Sequence, residues 1–135
     1  MSMRFTGAVV TLMALGVMGS RAQEKSSGSV SFKDDVFPVV KKYCLPCHSE
    51  DNFNPSELSL DSYDLMMQGG KNGTLVVAGN AKESLLVKKL GEAPPFGDRM
   101  PLNKKQVISE GKAKYLSESE LNVIRKWINE GAKNN

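Results

Sequence analysis

Ligating side chains are scarce in this chain: 135 residues hold one histidine and two cysteines. A structural zinc site takes four ligands, so one here would have to recruit carboxylates. No apolar stretch reaches the roughly 20 residues that a bilayer-spanning helix needs; the longest, from Phe5 to about Met18, has about 14. Charge of one sign is also lacking: 18 Lys plus Arg face 15 Asp plus Glu, a formal net charge of +3 that supports no nucleic-acid reading. There is no internal repeat and no low-complexity tract. A chain of this length makes one small domain, which excludes large multidomain enzymes.

Hydrophobic residues at 40% and charged residues at 24% are an ordinary globular mix, far from the composition of disordered chains. Residues 1–22 read as an export signal: Arg4 in a short basic region, the apolar run, then Ser20-Arg21-Ala22 with small residues where a signal peptidase cuts. Its removal leaves 113 residues and lowers the net charge from +3 to +1, because Arg4 and Arg21 leave and no acid does. The expectation is an exported, periplasmic protein, anchored at the membrane if the signal stays uncleaved. Residues 23–30, with the polar stretch Glu24 to Gly28, read as a flexible leader to a domain over 31–135.

Both cysteines and the histidine fall within five consecutive residues, Cys44-Leu45-Pro46-Cys47-His48. Random placement would produce this grouping in roughly one arrangement in ten thousand, and the spacing is that of covalent haem attachment. Two thiols three apart can each add to one haem vinyl group while the next residue offers an imidazole to the iron. A thioredoxin-like pair requires a βαβ pattern, which is lacking around Cys44. A plain disulfide over a two-residue gap gives little loop-closure benefit and leaves His48 unexplained.

With one histidine, a bis-histidine iron centre is impossible. Among the methionines beyond residue 22, Met66 and Met67 lie in a short helical stretch with Asp61 as its expected cap and Gly69 as its stop, and read as core. Met100 lies in Pro94-Pro95-Phe96-Gly97-Asp98-Arg99-Met100-Pro101. Prolines on both sides lower the entropy cost of holding a thioether in place. The expected site is therefore Cys44, Cys47, His48 and Met100, with His48 and Met100 as the iron ligands.

The periodicities predict an all-α fold of about four helices wrapped round one haem. Ser31 caps a first helix whose Phe32, Val36, Val39, Val40 and Tyr43 share a face, with Pro38 kinking it or delaying its start. A short helix covers about 62–68, Thr74 to Val77 is extended, and a third helix opens at Asn80 and closes at Gly91. Ser117 and Glu120 form a capping box for a last helix carrying Leu121, Ile124, Trp127 and Ile128 and ending at Gly131. The stretch 106–115 reads as a small hairpin or an irregular loop. Trp127, Ile124, Leu90 and Val40 are candidate haem-wall residues; Arg99, Tyr63 and Tyr115 are candidate propionate partners. Arg99, Lys104, Lys105, Lys112 and Lys114, with Glu110 as the one acid nearby, read as either a solvated loop or a docking patch for an acidic partner.

A first helix ending in the cysteine–histidine motif, a Met-Pro loop and a terminal amphipathic helix resemble the small monohaem cytochromes c. Phe37-Pro38, Leu58-Ser59-Leu60-Asp61, Gly69-Gly70, Gly79 with Ser84-Leu85-Leu86, Arg99-Met100-Pro101 and Trp127-Ile128 with Gly131-Ala132 are similar to the planctomycete-type cytochrome c domain. Over residues 32–132 this resemblance implies thioethers at Cys44 and Cys47, proximal ligation by His48 and distal ligation by Met100. Lys104 to Leu116 is longer than that pattern. The function implied is electron transfer without enzymatic activity of its own, between redox partner proteins that include membrane-bound ones, as a monomer or as a subunit. A haem-based ligand sensor and a haem-bearing subunit of a larger dehydrogenase or oxidase are the alternatives.

Overall fold

The structure, a computed structural model, describes residues 28–135 apart from Pro46 and Phe53; the expected export signal and residues 23–27 of the leader lie outside the described residues. The architecture is all-α there: a π-helical turn, Phe32–Val36, runs into α1, Phe37–Tyr43, and is followed by α2, Tyr63–Gln68, α3, Leu85–Leu90, α4, Lys105–Ser109, and α5, Glu118–Asn129. No described helix is long and apolar enough to cross a membrane.

Ser31 caps the first segment by accepting from the Asp34 N–H at 3.1 Å. Pro38 then explains the change of register. It has no N–H to donate, so the chain enters through wider i→i+5 bonds, Val36 N–H to Ser31 O among them, before the α pattern begins at Phe37. The apolar face of this segment buries Phe32, Val36 and Val40 against Leu121, Ile124, Trp127 and Ile128 of α5. Phe32 is the hub: its ring lies 5.3 Å from Tyr63 edge-on and 5.4 Å from Trp127. The polar ends of the neighbours are satisfied, Tyr63 Oη donating to Ala132 O at 2.8 Å and Trp127 Nε1 to Lys133 O at 2.8 Å.

Several boundaries differ from expectation. Ser62, not Asp61, caps α2, accepting from Leu65 N–H at 3.2 Å; the Asp61 carboxylate accepts from Glu50 N–H instead. Asn80 caps only a turn, through Glu83 N–H, and α3 starts after Ser84. The fully buried Ser84 hydroxyl is committed backwards, accepting from Val77 N–H at 2.9 Å and donating to Asn80 O at 2.9 Å.

The hairpin over 106–115 is not formed. Ile108 N–H bonds Lys104 O and Glu110 N–H bonds Gln106 O, so this segment winds as α4, a fifth helix. Val107 and Ile108 are adjacent, and a strand would send them to opposite faces. Asn103 closes the loop by a two-way amide pair, its side chain accepting from Lys114 N–H at 3.0 Å and donating to Lys114 O at 3.3 Å.

Candidate functional site

Cys44 caps α1, its N–H bonded to Val40 O at 2.8 Å. The backbone then folds tightly on itself: the N–H groups of Cys47 and His48 both donate to Cys44 O, at 3.0 and 2.8 Å. This turn leaves Cys44 half-buried and Cys47 exposed, with both thiols free. Burial, and then the neighbouring Cys47, push the Cys44 thiol up to about 11.

His48 is oriented by a second layer. Its Nδ1 lies 3.2 Å from Leu58 O. A carbonyl only accepts, so Nδ1 carries the proton and Nε2 keeps its lone pair for a metal. The Asn54 amide also donates to Leu58 O, while its Oδ1 accepts from Ser56 N–H and Ser56 Oγ–H. Leu60 N–H returns to His48 O at 2.8 Å, tying the loop after the motif to the histidine itself.

Met100 approaches from the other end of the sequence. Its N–H donates to Lys89 O, at the last turn of α3, at 2.8 Å, and the Met100–Pro101 peptide is cis.

Cys44, His48 and Met100 line one cleft, partly open to solvent, with about 920 Å³ of atom-free space. Its walls are apolar: Leu58, Leu60 and Leu75 from loops, Leu85, Leu86 and Leu90 from α3. Gly70, Asn72 and Gly73 form a backbone-rich edge, and Lys89, Phe96, Gly97 and Asp98 a second. Cys47 is not among the lining residues. Met66 is fully buried in the core and Met67 packs against it; neither lines the cleft.

An apolar cleft lined by the Cys44 thiol, an imidazole and a thioether, with Cys47 three residues on from Cys44, fits a haem: soft and borderline donors meet apolar walls suited to a porphyrin. Among the described residues no cluster of three or more His, Cys, Asp or Glu gathers as a metal site.

Of the four expected wall residues only Leu90 lines the cleft; Val40, Ile124 and Trp127 are buried in the hydrophobic core, where α5 meets the Phe32–Val36 turn. The expected propionate partners are engaged elsewhere. Tyr63 bonds Ala132 O, while Arg99 donates to Leu90 O at 3.0 Å and stacks over the Tyr115 ring at 3.9 Å. The loop leucines and Lys89 escaped the sequence reading. Leucines in non-helical segments carry no period, although Leu58-Ser59-Leu60 alternates, and that alternation was the available signal.

No curated protein and no solved structure matches the chain at a significant level. Residues 44–101, from the first cysteine of the motif to the proline after Met100, match the family described as Planctomycete cytochrome C, and over that stretch the chain resembles a haem-binding, electron-transferring domain.

Proposed function

We propose that this protein is an exported electron carrier holding one covalent haem c, attached through Cys44 and Cys47 and ligated by His48 and Met100. One observation carries the reading: Cys44 and His48, at the end of α1, and Met100, on a loop over fifty residues later in the sequence, line the same apolar cleft. When bound, the haem supplies a one-electron Fe(II)/Fe(III) couple. The residues of the chain provide the rest. Leu58 O holds His48 Nδ1–H, which would leave Nε2 to ligate the iron and raise its basicity. The six leucines would surround the haem with apolar wall, and Met100 would offer a neutral soft donor, a ligand set that raises the reduction potential. The chain has no second histidine to serve beside Met100 in activating a bound ligand, which favours carriage over catalysis. The partners that fit are redox proteins, membrane-bound ones included, met as a free monomer or within a complex.

The ferric protein should show the weak sulfur-to-iron charge-transfer band at the red edge of the visible. Met100→Ala should abolish the band, lower the potential and admit carbon monoxide to the ferrous iron. A band that survives Met100→Ala and disappears on Met67→Ala would overturn the ligand assignment.

A further inference from the structure

Lys89 reaches the Met100 loop at several points at once. It sits in the last turn of α3, and its Nζ donates to Phe96 O at 2.7 Å and to Asp98 O at 2.6 Å. The same ammonium lies 4.8 Å from the centre of the Phe96 ring. Its own carbonyl accepts from Met100 N–H at 2.8 Å, and the next carbonyl, Leu90 O, accepts from Arg99 Nε at 3.0 Å. Hydrogen bonds from a cation are about twice as strong as neutral ones, and two carbonyls converging on one ammonium fix the backbone between them. Between Phe96 and Met100 the chain has no helix or strand of its own.

We propose that Lys89 is the positioning residue of the distal ligand: its ammonium draws the Phe96 and Asp98 carbonyls onto the end of α3, and this pre-shapes the loop that presents the Met100 thioether to the cleft. The inference rests on the Met100 reading above. Thioether–iron bonds are weak enough that the ordering cost of the loop decides whether the ligand stays on.

The test uses the full chain carrying covalent haem, as Lys89→Leu and Lys89→Arg. Lys89→Leu keeps a helix-forming apolar side chain on α3, removes the donors and adds no iron ligand. It should retain haem staining after denaturing electrophoresis and a parent-like helical circular dichroism, while carbon monoxide binds the ferrous form at least tenfold faster and the sulfur-to-iron band weakens. Lys89→Arg should recover most of the band. A parent-like band and a carbon monoxide rate within twofold in Lys89→Leu would overturn the proposal and leave Met100 ligation standing. A parent lacking the band would instead overturn Met100 ligation and this role together. Acetic anhydride footprinting of the unaltered protein keeps the test independent of variant yield: Lys89 should label at least tenfold more slowly than Lys104 and Lys105, and equal labelling would refute the tether itself.

Discussion

Glu120 ties the end of α1 to the start of α5. Its carboxylate accepts from Ser117 N–H and Ser117 Oγ–H at 2.8 Å each, from Lys42 Nζ at 2.9 Å and from Tyr43 Oη at 3.1 Å. The Ser117 backbone bond first, then Lys42, hold its pKa down from 4.5 to about 2. A depressed carboxylate contributes stability that is fully present above the ordinary value of 4.5 and is lost as the pH falls toward 2. Glu120→Gln should therefore lower Tm near neutral pH and flatten its decline between pH 5 and pH 2. Thermal scans across that range check it, and a decline as steep as the parent's would show that other carboxylates carry the acid sensitivity. This residue also marks what could be read in advance. The Ser117–Glu120 box is local and has a sequence signature, whereas the Lys42 and Tyr43 bonds join residues 78 and 77 positions apart and have none. Lys89 is the extreme case: its hydrogen-bond acceptors are backbone carbonyls, which every residue type supplies.

At the scale of elements, helices were legible where a cap and an apolar period coincide, as in α5 with Ser117 ahead of Leu121, Ile124, Trp127 and Ile128. They were misread where a side chain chose another partner. Ser84 bonds backwards, which delays α3, and local i→i+4 bonds prevail over the expected hairpin at α4. The cleft was the least legible part, because one edge of its wall comes from two loops pressed together, 56–58 and 70–73. Lys71 N–H donates to Ser56 O at 2.8 Å, and a Cβ on Gly70 would lie 2.7 Å from Ser56 O, 2.9 Å from Leu58 Cβ and 3.0 Å from Glu57 O. Two of these three atoms are backbone and cannot step aside by changing a rotamer. Gly70→Ala should force the loops apart and destabilise the fold by about 1–3 kcal/mol. Because Leu58 O also holds His48, the same change should broaden the haem spectrum. Thermal unfolding with an absorption spectrum measures both, and an unchanged Tm would mean the loops yield freely.

Across the whole molecule, the cleft and the charged loop share one neighbourhood. Phe96, 44% exposed, lies at the rim; Leu102, at 64%, and Ile108, at 48%, follow on the segment that leads into α4. Lys104, Lys105 and Lys114 are exposed among them, whereas Lys112 pairs with Glu110 at 2.9 Å and Arg99 turns onto Tyr115. The docking patch proposed for an acidic redox partner thus narrows to three lysines. Steering by exposed charge fades as the screening length shrinks below about 10 Å above 0.1 M salt. Lys104→Glu with Lys105→Glu should slow bimolecular electron transfer to such a partner severalfold at low salt and converge on the parent at high salt; equal low-salt rates would make the loop merely solvated. The spectral, ligand-binding and electron-transfer expectations depend on the cleft holding a covalently attached haem. The most direct measurement is the mass of the protein isolated from an exporting, haem-competent host after denaturation and acid-acetone extraction. The account predicts a polypeptide heavier by one haem, with the added mass on the peptide containing Cys44 and Cys47. A polypeptide of bare sequence mass, with all haem recovered in the extract or none found, would contradict it.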